Sequence, residues 1–505
     1  DRWAAVGTFR EFILYDSGLV LPSFIIIYRR VYWMSLMRTI GEVIGNSNLE
    51  ANWQLILYTV MQAEMNSDDA GSNMRFCLEQ LLWEHHTDLV PTLARCLQDA
   101  RCAVRRVAAL TFGRLCRREQ ADGKRRNLHL LAMPALINVL QDNNEAVRKA
   151  AVVALAQFDT HTLPAINALI RCLSDGSPEV RAEAAATLGS IGVGARSAGP
   201  ALITALTDQD SGVRRSSASA MGKIWISHSV AVTAAPALKS LLTDEKEEVR
   251  MSAATALGSL GAEAIAAEAV PALILSLSSS SMAERKACAD ALGVLGTCDG
   301  LGVHSASAVQ ALADGLSCSD VELKAAILLA LGKFGGESTA AIPTMRKCLL
   351  DADAVVRTAA AKSLGRLGSH ASPALPALTK ALSDPDSKVQ IAAATALRQF
   401  GGLAAKASAA LAERIIDDCS AEVQEAAVQT LVSFGPCAAP VMPYLQELLN
   451  HPKHRVRIAA ATVLKAIAPE TVEGFDAQSW HSKDEVLCCM APHPGKCLCP
   501  TCRPR

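Results

Sequence analysis

The sequence predicts an all-α protein: a right-handed α-α superhelix, or solenoid, of about eleven two-helix repeats. Three observations predict it. The stretch Asp175-Gly-Ser-Pro-Glu-Val-Arg-Ala-Glu-Ala-Ala-Ala-Thr-Leu-Gly-Ser-Ile-Gly192 returns in near copy at 244–261 and 351–368. Indexed on the Val of its Val-Arg pair, the motif recurs at Val104, Val147, Val180, Val213, Val249, Glu284, Leu323, Val356, Val389, Val423 and Val456. The spacings are 43, 33, 33, 36, 35, 39, 33, 33, 34 and 33 residues, and a period sustained this long marks stacked supersecondary units. Finally, 50% of residues are hydrophobic but only 4% aromatic, a balance that suits close-packed helices better than sheets.

Each unit reads as a helix pair. Pro91, Pro134, Pro200, Pro236, Pro271, Pro343, Pro376 and Pro443 each stand thirteen residues before an index position and mark the start of the first helix. Proline suits a first helical turn, where its missing N–H would have had no partner. An Asp-containing turn follows, as at Asp208, Asp244 and Asp384. In Ser177-Pro178-Glu179 the Ser is placed to cap the second helix, with Pro first and Glu at the positive helix end. The second helix carries Val-Arg-x-x-Ala-Ala-x-x-Leu-Gly and is expected to stop at that Gly. Val180, Ala184, Ala185 and Leu188 fall on one stripe, which a single hairpin cannot bury alone, so each unit must stack on the next.

A Pro-x-Leu helix, an Asp turn and Val-Arg-x-x-Ala-Ala-x-x-Leu-Gly together resemble the HEAT repeat, and the short period resembles its phycobilisome-lyase-type subclass. The resemblance covers about residues 88–468. It implies a ladder between the turn Asp and Arg residues of successive repeats, here Arg105, Arg148, Arg181, Arg214, Arg250, Arg285, Arg357 and Arg457. Gln390 and Gln424 replace Arg in two repeats, where the ladder should weaken. One enzyme family with this architecture, deoxyhypusine hydroxylase, binds two irons through His-Glu pairs at the start of its second helices. The matching pair here is Ala182-Glu183, and no His in the chain is followed by Glu.

Around the array the composition changes. Residues 1–87 hold twelve of the 21 aromatic residues within their first 85 positions and read as degenerate helical cap repeats. The repeats span 88–468, a polar linker 469–487, and a Cys-rich tail 488–505. Two intervals are long. One contains the basic loop 117–126, read as a solvated insertion, and the other the Gly-rich stretch 293–304, where stacking is expected to bend.

Lys+Arg 49 against Asp+Glu 50 gives a net charge of −1, so bulk charge makes no case for nucleic acid or an anionic membrane. The apolar run Leu19–Tyr28 is too short to span a bilayer. The chain starts at Asp1 without a secretory pattern, and the cytoplasm is the expected location. Eleven of the 16 Cys are scattered singly, as small buried hydrophobes would be in a reducing compartment. Phosphate-loop, dinucleotide and nucleophile-elbow motifs are missing from the sequence. Glu84-His85-His86 and His451-Pro-Lys-His454 read as turn or surface histidines.

Two features remain as candidate sites. Positions one and nine after the Val-Arg Arg point away from the apolar stripe, onto the face that resembling solenoids turn inward. They hold Arg106, Arg114, Lys149, Arg215, Lys223, Lys286, Lys333 and Arg366, with Glu425 the acidic exception. Such a stripe suits an acidic peptide of a protein partner better than nucleic acid, since it offers no aromatic residue for a base to stack on. In the tail, Cys488, Cys489, His493, Cys497, Cys499 and Cys502 include one Cys-x-x-Cys and could hold a structural zinc. The reading is a non-enzymatic interaction scaffold. The alternatives are an enzyme or accessory of the lyase or hydroxylase kind, and a solenoid that binds a nucleic-acid backbone.

Overall fold

The computed structural model describes residues 93–122, 128–224, 228–266, 268–298, 301–416 and 420–472. The N-terminal cap reading, the Leu19–Tyr28 run, the Glu84-His85-His86 cluster and the Cys-rich tail lie outside them. The chain divides into two compact units, Asp1–Val230 and Ala231–Arg505.

Every index residue lies in an α-helix and is buried. In the first unit the second helices are Cys102–Asp122, Glu145–Leu155, Pro178–Ile191 and Ser211–Lys223. In the second unit they are Glu247–Leu260, Met282–Leu295, Val321–Leu331, Ala354–Leu367, Ser387–Phe400, Ala421–Phe434 and His454–Ile467. Within each unit, every second helix packs against the second helix of the following repeat. No strand occurs among the described residues. The protein is an all-α solenoid.

The expected stripe is the core. Val180, Ala184, Ala185 and Leu188 are all 0% exposed. The Gly of the Leu-Gly pair does not end the second helix, as the motif suggested. Gly189 sits inside Pro178–Ile191, and a Cβ placed there would lie 2.8 Å from Ala220 Cα of the next second helix. That Gly is kept small by the close approach of two helices. The helix stops at the second Gly, Gly192, whose φ of 64° is the left-handed region that Gly adopts without strain. Gly293, expected at a bend, makes the same close approach to Ala330, 2.8 Å from its Cα, and so serves the stack.

The first helices also differ in detail from the sequence reading. Pro200, Pro343, Pro376 and Pro443 do stand in the first turn of short helices, Gly199–Ala205, Ile342–Cys348, Leu375–Ala381 and Met442–Leu448. A 3-10 segment that the motif did not announce leads into each, such as Gly192–Ala198 and Gly368–Ala374. Pro134 and Pro236 instead lie inside the helices Leu128–Val139 and His228–Ser240. Those helices begin upstream and forfeit a backbone bond at the Pro. Ser177 takes the N-cap position but makes no side-chain capping bond. Its N–H donates to Asp175 Oδ1 at 2.8 Å, while Asp210, Asp353 and Asp386 cap their helices directly.

The turns are locked by a repeated polar device. Arg148 donates through Nε and Nη2 to Asp175 of the next turn, at 2.7 Å each, and through Nη1 to the carbonyl oxygen of Asp142 in its own turn at 2.8 Å. Arg181 treats Asp208 and Asp175 the same way, and Arg357 treats Asp384 and Asp351 the same way. One guanidinium thus joins two turns, using the planar donor fork that Lys lacks. At Gln390, where the ladder is expected to weaken, the Nε2 reaches among the described residues the Asp384 carbonyl, at 2.6 Å. Gln424 turns to the Ile415 carbonyl.

Two further irregularities were not expected. Ser279 holds the acidic turn position of its repeat, and the carboxylate has moved to the index position, where Glu284 accepts from Arg250 and from Ser279. Cys318 holds that turn position in the following repeat. Arg285, assigned to the ladder from sequence, has a buried Nε with no hydrogen-bond partner, and its Nη1 reaches Met282 Sδ at 3.6 Å.

Candidate functional site

The ladder uses the Arg of Val-Arg pairs such as those at Arg148, Arg181 and Arg357, so the candidate cations are those beside it. In the first unit Arg106, Arg215 and Lys223 are exposed, and none has an ion-pair partner among the described residues. Arg114 is half-buried. Lys149 is half-buried and its Nζ meets Glu179 Oε2 of the next repeat at 2.6 Å. In the second unit Arg366 is exposed and Lys333 half-buried. Lys286 pairs with Glu322 of the next repeat at 2.8 Å.

These pairs bring to the face acids that the positions one and nine after Arg do not contain. Counting only the positions one and nine after Arg misses their partners, which come from the residue just before the next index position. Glu179 and Glu322 stand there, one turn along the stack. Asp290 also lies in the field of Lys333 and Lys286; partial burial of its carboxyl outweighs both lysines and raises its pKa. Lys149 and Lys286 are thus already neutralised within the fold. Both pairs are largely solvated, which makes them worth little to stability.

The described cysteines are all free thiols. Cys96, Cys116, Cys172, Cys288 and Cys348 are buried, as the reading of small hydrophobes expects, whereas Cys102 and Cys437 are exposed. Burial pushes the Cys172 thiol up to about 11 and the Cys288 thiol up to about 12. Neither is a nucleophile at neutral pH. Of the densest described His pair, His451 is half-buried and its Nδ1 accepts the Lys453 N–H at 3.1 Å, a local turn role. Among the described residues, no group of three or more His, Cys, Asp or Glu is placed to hold a metal ion, and no helix is long and apolar enough to cross a membrane.

Comparison with known proteins agrees with this architecture. A model of HEAT repeats matches residues 90–175, 133–222, 166–258, 270–365, 309–398, 367–432 and 408–473. A model of the PBS lyase HEAT-like repeat matches residues 249–279. The chain belongs to the HEAT-repeat family. Among solved structures it is similar to importin beta, crystallised in an ammonium sulfate condition, at 14% identity and a TM-score of 0.55, covering 90% of this chain and 67% of that one. It also matches an engineered protein at 22% identity and a TM-score of 0.44, covering 75% of this chain and 98% of that one. At 14% identity the likeness to importin beta is one of fold. No curated protein matches the chain.

Proposed function

We propose that this protein is a non-enzymatic scaffold that receives acidic segments of protein partners on the face formed by its second helices. The observation that carries the reading is the set of exposed cations without ion-pair partners among the described residues, Arg106, Arg215 and Lys223 in the first unit. They recur in repeat register on helices that stacking holds rigid. A rigid display lowers the ordering cost of binding, and like-signed charge steers an acidic partner toward it. The free thiols support a cytoplasmic location, because unpaired cysteines suit a reducing compartment. The tail cysteines and His493 are proposed as a structural zinc site.

The test is affinity purification from native cells with the wild-type chain and an R106E/R215E/K223E variant. Loss of partners from the variant, with its helical content unchanged, is expected. Equal recovery by both would refute this face as the binding surface. Iron content and a hydroxylase assay on the purified chain address the enzymatic alternative. Salt-dependent binding of duplex or single-stranded probes addresses the nucleic-acid one. Zinc analysis with and without residues 485–505 decides the tail.

A further inference from the structure

Among the described residues, the one six before each index position closes the turn between the two helices. In ten repeats it is polar: Gln98, Gln141, Ser174, Thr207, Thr243, Ser278, Ser317, Ser383, Asp417 and Asn450. In the remaining repeat it is Leu350, and its exposure is 74%. A Leu left in water adds nothing to the stacking that explains the other apolar positions. Scattered exposed apolar residues need no explanation by themselves. This one departs from the rule of its own repeat, and it lines a groove.

The groove has a volume of about 550 Å³ and lies in the second unit, between the helices Ile342–Cys348 and Leu375–Ala381. Pro343 and Pro385 extend the apolar surface around Leu350, and Arg346, Lys347 and Lys380 line the same groove. All three cations are exposed, without an ion-pair partner among the described residues. The groove's acid, Asp384, is already held by Arg357 through two bonds of 2.7 and 2.8 Å. Cations at a helix C-terminus also complement its dipole, which gives them a structural reason to be there. That reason does not extend to Leu350. The equivalent groove of the first unit makes the comparison: it has a volume of about 220 Å³, with Gln141 at the Leu350 position and Arg171 as its cation.

We propose that this groove docks a short acidic segment of a partner protein that carries a large apolar side chain. The apolar side chain covers Leu350, and the flanking carboxylates meet Arg346, Lys347 and Lys380. A buried apolar anchor inside a charged rim is the arrangement that concentrates binding energy at protein interfaces. A nucleic-acid strand would use the cations but not the leucine, and the groove offers no aromatic ring for a base to stack on. The site stands on the first helices and the turn, so it is independent of the second-helix face.

A display library of acidic peptides with one randomised central position, selected on the full chain, tests this. Enrichment of Leu, Ile, Phe or Trp at that position is expected. The best peptide, followed by fluorescence anisotropy, should bind roughly tenfold more weakly to L350S. It should bind about threefold more weakly to K347E or K380E, with the charge effect shrinking as salt rises. L350S installs the residue that Ser317 and Ser383 already provide at this position, and its unchanged thermal melting confirms folding. Loss of binding by R215E/K223E with L350S unaffected would place the peptide on the second-helix face and overturn the proposal. No apolar enrichment, equal binding by L350S, or preference for single-stranded RNA over the peptide would each overturn the proposal.

Discussion

Glu284 offers a test of the ladder that can be worked through in numbers. Arg250 donates to its Oε2 through Nε at 3.0 Å and Nη2 at 2.9 Å, and Ser279 Oγ donates to the same oxygen at 2.7 Å. The side chains are 5% and 22% exposed for Glu284 and Arg250, so water only partly replaces the pair. Arg250 keeps its bonds to the Asp244 and Glu245 carbonyls at 2.8 and 3.3 Å, so losing Glu284 does not strand it. Charge-assisted bonds of this kind contribute about 1.5–3 kcal/mol net, and a buried Val would return part of that, leaving E284V destabilised by about 1–2 kcal/mol. S279D alone sets two carboxylates beside one guanidinium and costs roughly 1 kcal/mol. The double variant S279D/E284V rebuilds the arrangement of Arg148 with Asp175 and should return to within about 0.5 kcal/mol of wild type. Repeat arrays open locally, so the assay is hydrogen exchange in Glu247–Leu260 and Met282–Leu295 alongside urea unfolding. A double variant no more stable than the worse single would refute the idea that the carboxylate has simply moved.

Three other outcomes are expected. The guanidinium of Arg105 and the ammonium of Lys324 hold the carboxyls of Asp142 and Asp351 below their ordinary range. A depressed native pKa gives stability that is present above the unfolded value of about 3.9 and lost as pH falls through the native one. Acid titration followed by circular dichroism should therefore show destabilisation below about pH 4, and R105Q should make it shallower. Among the described cysteines, thiol labelling under mildly alkaline native conditions should modify Cys102 and Cys437 first and spare Cys172 and Cys288, because the latter two are buried; labelling of Cys288 without unfolding would contradict its packing. Gly365→Ala should destabilise by about 1–3 kcal/mol despite the better helix propensity of Ala. Its Cβ would stand 2.7 Å from Ala396 Cα, and a stabilised variant in thermal unfolding would show that the two helices can separate at no cost.

The repeat and the buried stripe were legible in the sequence because each is carried by residues at a fixed spacing along one helix pair, whereas the ladder was expected from the resemblance to the HEAT repeat. Val180, Ala184, Ala185 and Leu188 needed only helical periodicity to be assigned to the core. The weak rung at Gln390 followed from that resemblance together with one missing guanidinium visible in the letters. The roles of the two glycines in Leu-Gly-Ser-Ile-Gly were not legible. Gly189 is dictated by Ala220 of the next repeat, and only the approach of those backbones separates it from Gly192, which turns the chain. The candidate stripe was placed by register, but its charge state was not. Lys149 and Lys286 are neutralised by Glu179 and Glu322, which lie 30 and 36 residues further along the chain and outside any local spacing. The transfer of a carboxylate from the turn to Glu284 and the unmatched Nε of Arg285 belong to the same class. Sequence periodicity determines which side chains face the core, because a helix repeats every few residues. Which charges cancel and which grooves open is decided between repeats, where distance through space is short and distance along the chain is long.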